Sequence, residues 1–193
     1  MNKLNKKDLY SLEKYSEIRL AFRDKIIEHK KNRRLALNPH AALYFEDALT
    51  MQYQVQEMLR IEKIFDAPGI EDELNVYNPL IPDGTNWKAT FMIEYGDINK
   101  RKNALSRLIG VERSLWVQIE DSEKIYAIAN EDLNRETEDK TSAVHFVRFE
   151  LTPNMCSHAK VGLPITFGID HPVFKTDVIV PSNVQSSLIN DLS

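Results

Sequence analysis

Ionisable side chains that could do chemistry are concentrated in one predicted helix, at residues 47–65. Glu57 and Arg60 lie three residues apart on one face of it, and Glu62 follows on the next turn. A carboxylate beside a guanidinium could serve as a general base or metal ligand and as a clamp for an anionic substrate. The simpler alternative is a central helix whose polar groups make only structural hydrogen bonds and salt bridges.

A predicted strand at residues 143–151 carries further candidates. Because side chains alternate along a strand, His145 falls on the more apolar face, and Arg148 shares the other face with Glu150. His145 is a candidate catalytic or metal-binding residue, although a histidine on an apolar face is more often a satisfied core residue. Arg148 could hold an anion or pair with Glu150. The charged stretch 131–140 is interpreted as a solvated turn, with a lid as the alternative.

Histidines elsewhere in the chain could complete a metal site. Imidazole is the commonest side-chain ligand of transition metals, and His171 lies at the end of a predicted strand, where binding residues often occur. If His40, His145 and His171 converged with Glu57 or Glu46, they would form a mononuclear site for a divalent transition metal such as iron, zinc or manganese. Nothing in their spacing requires this convergence.

Several well-defined motifs are absent from the sequence. None of the six glycines opens a Gly-Lys-Ser/Thr phosphate loop, and a single cysteine excludes thiolate zinc sites, iron–sulfur clusters and an internal disulfide within this chain. The Gly-x-Ser-x-Gly elbow, the His-Glu-x-x-His motif, the EF-hand loop and the Glu-x-x-His pair of di-iron bundles are missing too. The sequence therefore contains no recognisable catalytic motif.

Charge is distributed unevenly along the chain. Residues 1–40 contain eleven Lys or Arg and five Asp or Glu, a balance of +6, whereas the remainder carries −10. A basic N-terminal segment docked on an acidic body would explain this without any ligand. The basic cluster 29–34 could contact phosphates, but the net charge of −4 and the lack of interleaved aromatic residues argue against nucleic acid.

The N-terminal part, residues 1–66, is predicted to be helical. A short helix begins near Asn5, and a longer one begins at Ser16, runs into the basic cluster and stops before Pro39. The third predicted helix, at 47–65, contains no glycine or proline, and Pro68 and the glycine after it should close it.

From residue 80 to 193 the periodicity is mostly that of strands. Strands are predicted around 91–95, 115–119, 125–129, 143–151, 165–169 and 178–180, the second and third forming a hairpin. Helices are predicted after Asp97, after Thr152 and from Ser182. We expect an α+β fold in which N-terminal helices pack on a largely antiparallel sheet with interspersed helices. Since no linker interrupts the pattern, residues 1–193 should form a single domain.

The composition is that of an ordinary globular protein, with 42% hydrophobic and 28% charged residues. The N-terminus lacks the apolar core of a signal peptide, and no apolar run approaches the roughly 18 residues that span a bilayer. A lone cysteine, Cys156, suits a reducing compartment. We therefore predict a cytoplasmic protein that does not cross a membrane.

Three longer strings carry a family resemblance: NPHAALYFEDALTMQYQVQEMLRIEKIF, NPLIPDGTNWKATFMIEY and EDKTSAVHFVRFELT. Together they resemble DUF3501, a domain of unknown function found in uncharacterised bacterial proteins, over residues 8–181. Genes of this family tend to lie beside those for rubrerythrin-like proteins and iron–sulfur proteins of the heterodisulfide-reductase type, so the resemblance implies a role in redox or peroxide handling. The family's motif residues would fall here on His40, Glu46, Gln56, Glu57, Arg60, Asp83, Lys140, His145, Arg148, Asp170 and His171.

Two functional hypotheses follow. The first is a binding or accessory module that docks with non-haem-iron or iron–sulfur redox proteins, with a rubrerythrin-like protein as a possible partner. The second is a metal-dependent enzyme with a polar pocket between the third helix and the sheet, in which Glu57, Arg60, His145 and Arg148 are catalytic. The amide-rich third helix could also form the seam of a homodimer.

Overall fold

Helices and strands alternate along most of the chain. The computed structural model describes residues 3–131 and 139–193. Its helices are α1 (Leu12–Lys31), α2 (Ala48–Glu62), α3 (Ala67–Tyr77), α4 (Ile98–Arg107), α5 (Pro153–Lys160) and α6 (Ser182–Ile189). Its strands are β1 (Arg34–Asn38), β2 (Ala41–Phe45), β3 (Asn86–Ile93), β4 (Leu115–Ile119), β5 (Ile125–Tyr126), β6 (Ile128–Ala129), β7 (Val144–Glu150), β8 (Ile165–His171) and β9 (Phe174–Ile179). None of the described helices combines the length and apolar composition that crossing a bilayer requires.

Two antiparallel sheets share the main hydrophobic core. One has the strand order β1-β2-β3-β7-β6 and the other β5-β4-β8-β9. Phe167 of the second sheet lies with its ring centroid 5.2 Å from that of Phe45 and 5.0 Å from that of Phe149, both in the first sheet. Trp87 packs beside the same ring at 5.9 Å. The α+β class is therefore confirmed, with two sheets where the sequence pattern suggested one.

A single bent segment joins the two sheets at one margin. Its β5 part pairs with β4 and its β6 part pairs with β7, and only Ala127 separates them. The N–H of Ala127 donates to the carbonyl of Leu115, so the bend itself is hydrogen-bonded. At the other margin, the hydroxyl of Thr176 in β9 donates to the carbonyl of Leu37 in β1 at 3.1 Å.

The N-terminal helices form smaller apolar clusters beside this core. Tyr15, Phe22 and Ile26 of α1 are buried together, and Val55 and Leu59 of α2 are buried with a leucine of α3. The sequence prediction for α2 is confirmed to within three residues. The helix starts where the Asp47 carboxylate accepts the Thr50 N–H, and it ends at Lys63, which adopts a left-handed conformation with φ of 56°.

Two predictions for the N-terminal part are wrong. The long helix ends at Lys31 rather than running to Pro39, and residues 34–38 form β1, in which Leu35 and Leu37 are buried and their neighbours are not. The helix also begins earlier than predicted, after Ser11, whose hydroxyl accepts a backbone N–H. Burial in β1 alternates with a period of two residues. Over only five residues this alternation cannot be told apart from a continuation of the helical pattern that precedes it.

Pro68 begins a helix rather than ending one. Proline lies in the first turn of α3, where its missing N–H costs nothing, and the Asp66 carboxylate caps that turn by accepting the Gly69 N–H. The sequence prediction treated Pro68 as a stop signal and missed α3 altogether.

Most predictions for the second half are confirmed. The hairpin of β4 and β5, the strand β7, the Asp97 cap of α4, the Thr152 cap of α5 and the start of α6 at Ser182 all occur as expected. The predicted strand at 91–95 is the second half of the longer β3. Most of the charged stretch 131–140 lies outside the described residues.

A buried ion pair ties the C-terminal end of the chain to β1. Arg33 donates to both carboxylate oxygens of Asp191, at 3.1 and 2.7 Å, and both side chains are 2% exposed. The same guanidinium donates to the carbonyls of Phe45 and Glu46 at 3.2 and 2.8 Å. Burial raises the pKa of Asp191, and the hydrogen bond and positive charge of Arg33 act in the opposite direction.

Removing one partner of this pair should destabilise the fold strongly. We expect Arg33→Met to lower the free energy of unfolding by about 3–5 kcal/mol, because it leaves a buried carboxylate unpaired. The double variant Arg33→Met/Asp191→Leu should recover most of that loss. Urea unfolding measures both, and Arg34→Met, at a half-exposed ion pair with Glu94, is the control with an expected loss below about 1 kcal/mol. A double variant no more stable than the single one would contradict the expectation.

Candidate functional site

The predicted base Glu57 faces α1 rather than the sheets. Its carboxylate accepts hydrogen bonds from the Tyr15 hydroxyl at 2.7 Å and from the Arg19 guanidinium at 2.8 and 2.9 Å. Arg60 of the same helix adds a further contact at 3.1 Å. The hydrogen bond from Arg19 is the main cause that lowers the pKa of Glu57 to about 2. Glu57 and Arg60 are thus brought together, but as part of the joint between α1 and α2.

The amide side chains of α2 bind the N-terminal segment. Gln56 is completely buried and exchanges hydrogen bonds with the backbone N–H and carbonyl of Tyr10 at 2.5 and 3.3 Å. Gln52 donates to the carbonyl of Asp8. Glu62, the second carboxylate candidate, is exposed to solvent. The amides that suggested a homodimer seam thus bind this chain's own backbone. The homodimer itself stays a prediction.

Arg148 lies on the outer face of the first sheet in a network of ion pairs. Its Nε and Nη2 donate to the two carboxylate oxygens of Glu131 at 2.9 and 2.8 Å, and its Nη1 donates to Glu150. Glu150 also accepts from Thr85 and Asn86. Arg148 is therefore engaged by two carboxylates, and its hydrogen bonds involve neither Glu57 nor Arg60.

His145 is a fully buried residue of β7. Its Nε2 lies 3.0 Å from the Thr141 hydroxyl and 3.0 Å from the Ser142 carbonyl, and its Nδ1 lies 3.1 Å from the side-chain oxygen of Asn130. Glu112, which the sequence reasoning missed, is completely buried 3.8 Å from the same Nε2. These contacts match the prediction of a satisfied core histidine.

His171 is also engaged through both ring nitrogens. Its Nε2 lies 3.1 Å from the Ile109 carbonyl, and its Nδ1 accepts the Val173 N–H at 3.4 Å. The neighbouring Asp170 accepts hydrogen bonds from Lys124 and Tyr126 instead.

The four predicted metal ligands have separate surroundings. Glu57 contacts α1, His145 is enclosed beside Thr141, His171 contacts the end of α4, and His40 lies on the surface. Within residues 3–131 and 139–193, no three His, Cys, Asp or Glu side chains are placed to hold a metal ion.

The most complete candidate site is a cleft between α4 and one end of the two sheets, with a volume of about 520 Å³. We call it the α4 cleft. Ile93 of β3, Leu108 at the end of α4, and Phe174 of β9 supply its apolar surface. The Asp97 carboxylate caps the start of the helix by accepting the Lys100 N–H, and near its end the Leu105 carbonyl accepts the N–H of Thr141, before β7.

A stacked pair of rings forms one wall of the α4 cleft. The His40 imidazole lies nearly parallel to the Tyr95 ring, with 4.1 Å between centroids and 16° between planes. His40 Nδ1 lies 3.1 Å from the Glu94 carbonyl, and the His40 N–H donates to the Asn38 side chain at 2.7 Å. The imidazole orientation is therefore fixed by the turn between β1 and β2 and by the end of β3.

Unpaired cationic and amide groups line the helical wall of the cleft. Lys100 and Arg107 face it together with Asn99 and Asn103. α4 contains four Lys or Arg and no acidic residue, and within the described part of the chain none of the four forms an ion pair. The arrangement can bind an anionic group at a partly apolar surface.

The sequence contained one usable signal for this site. The segment INKRKNALSR is free of acidic residues in a chain that has 29 of them. His40 was singled out as a metal ligand and does line the cleft, but its ring partner Tyr95 and the α4 residues were missed, since only the fold brings them together.

The joint around Glu57 has a definite pH dependence. A carboxyl whose pKa is lowered by folding stabilises the protein above its ordinary value of 4.5, and that stability is lost as the pH falls towards about 2. We expect Glu57→Gln to lower the free energy of unfolding by about 2 kcal/mol near pH 7 and the difference from wild type to vanish near pH 2. Urea unfolding at several pH values measures this. Glu62→Gln is the exposed control on the same helix, and a Glu57→Gln effect independent of pH would contradict the expectation.

Comparisons with known proteins extend over the whole chain without assigning an activity. A solved structure, the crystal structure of a novel protein of unknown function from Burkholderia pseudomallei K96243, shares 44% sequence identity, covers 100% of both chains and has a TM-score of 0.94. No curated protein matches the chain. A family model described as protein of unknown function (DUF3501) matches residues 3–192. The resemblance seen in the sequence is therefore confirmed, and the chain belongs to the DUF3501 family.

Proposed function

We propose that this protein is a binding module that holds a small organic anion in the α4 cleft. The observation that carries the proposal is the presence of Lys100 and Arg107 on the cleft wall, without a carboxylate partner among residues 3–131 and 139–193. A small-molecule site typically combines an apolar concave surface with a few well-placed polar groups, and its volume is about 300–1,000 Å³. The α4 cleft, at 520 Å³, has both properties.

The charge pattern of α4 supports an anionic ligand. Lys100, Arg101 and Lys102 follow one another, and the nearest carboxylate in sequence, that of Asp97, caps the helix and forms no ion pair with them within the described residues. Elsewhere cationic side chains such as Arg19, Arg33 and Arg148 are engaged by carboxylates of the same chain. A bound anion would supply for α4 the counter-charge that those residues obtain internally.

Titration with inorganic pyrophosphate tests the cationic wall. In amide-resolved NMR spectra we expect shifts confined to the residues around the cleft, and about tenfold weaker binding for Lys100→Gln/Arg107→Gln, which is a loss of about 1.4 kcal/mol. The matched control is Lys102→Gln, because Lys102 lies on the same helix, is exposed and does not line the cleft. Its affinity should stay close to that of the wild type.

Two results would contradict the proposal. One is the absence of saturable pyrophosphate binding. The other is an equal loss of affinity in the control and in the double variant, which would mean that pyrophosphate responds to the net charge of α4 and not to the cleft.

The link to non-haem-iron or iron–sulfur redox proteins stays a prediction that rests on the family resemblance. It is compatible with a binding module and is tested separately, by isolating the chain from cells and asking whether a rubrerythrin-like or iron–sulfur protein is retained with it. The metal-dependent enzyme stays a prediction as well. Metal analysis of protein purified without a histidine tag tests it, and less than about a tenth of an equivalent would leave it unsupported.

A further inference from the structure

We infer that the anion held in the α4 cleft is a nucleotide, with its base against the paired rings of His40 and Tyr95 and its phosphate at Arg107. This inference rests on the proposed function and adds the class of ligand. Two features of the cleft carry it: the ring pair at one end, and the distance along α4 that separates it from the guanidinium.

The ring pair offers a flat surface inside the cleft. His40 and Tyr95 are already stacked at 4.1 Å and 16°, and both line the cleft, His40 being exposed and Tyr95 half-buried. A planar base can extend such a stack, because every nucleobase has a π-face and stacking tolerates any base. A sugar phosphate or a simple dicarboxylate makes no use of this surface.

The cleft is long enough to separate a base from its phosphate. Tyr95 precedes α4 by a few residues, so the ring pair lies near the start of the helix, whereas Arg107 is its last residue. Eight residues separate Asn99 from Arg107, a distance of about 12 Å along the axis. Helical side chains lean towards the N-terminus, which directs the Arg107 guanidinium back along the cleft towards the rings.

The amides between these two ends suit the middle of a nucleotide. Asn99, Asn103 and Arg107 recur at every fourth residue and therefore form one row on the cleft wall. The side chains of Asn99 and Asn103 make no hydrogen bond within the described part of the chain, so each offers a free donor and a free acceptor. Base edges and ribose hydroxyls carry both kinds of group, whereas the guanidinium of Arg107 matches the phosphates.

Calorimetric titration of the full chain with ADP, pyrophosphate, ribose 5-phosphate and adenosine tests the inference. We expect ADP to bind about tenfold more tightly than any of the other three, since only ADP has both the base and the diphosphate. Tyr95→Leu should remove that advantage by weakening ADP about tenfold while leaving pyrophosphate unchanged. Tyr126→Leu, at an exposed tyrosine outside the cleft, is the matched control and should bind ADP like the wild type.

The outcomes separate this inference from the proposed function. If ADP binds no more tightly than pyrophosphate, while Lys100→Gln/Arg107→Gln still weakens pyrophosphate, the nucleotide inference is overturned and the anion-binding proposal stands. Adenosine as tight as ADP would also overturn the inference, because the phosphate would then contribute nothing. If neither ADP nor pyrophosphate binds, both proposals fail.

Discussion

The buried guanidinium of Arg33 is the contact on which the arrangement of the elements depends. The side chain is buried, and its N–H groups donate to the Phe45 and Glu46 carbonyls at the end of β2 and to the Asp191 carboxylate after α6. Two parts of the chain that are distant in sequence, the end of β2 and the segment after α6, are thereby fixed to one planar group. Directional bonds of this kind specify one arrangement of the elements even where desolvation removes most of the energetic gain. The C-terminal segment is thereby held against the edge of the first sheet where β2 ends.

The same kind of pairing resolves the uneven charge of the sequence. Arg19 meets Glu57 and Arg33 meets Asp191, so cations of the N-terminal segment contact carboxylates from the rest of the chain, and His29 lies 2.5 Å from Asp47. The cations of α4 differ from these three, since within the described residues they form no ion pair and two of them, Lys100 and Arg107, line the cleft. The polar side chains of α2 are more numerous, but most of them already form hydrogen bonds within the chain. The cations of α4 have no such partners among the described residues, so they say more about binding.

The sequence was sufficient for elements with a long periodic signal or a clear cap. The strand β7, with seven residues, and the helix α2, with fifteen, are long enough to show their periods unambiguously. Thr152, followed by a proline, marks the start of α5. The five-residue strand β1 could not, because its alternation follows directly on a helical stripe. The site was harder still. Its two walls come from the ends of strands and from α4, and no spacing within the sequence encodes that His40 would stack on Tyr95.

The separation of 158 residues between Arg33 and Asp191 also has a consequence for the time course of biosynthesis. Ribosomes add about 5–20 residues per second, so roughly 8–32 s pass between the synthesis of the arginine and that of its carboxylate partner. During that interval the counter-ion near the guanidinium is the Asp47 carboxylate, whose Oδ2 lies 3.5 Å from the Arg33 Nε. The two hydrogen bonds to Asp191 can form only once the chain has been synthesised past α6, so the guanidinium changes its main partner late in synthesis.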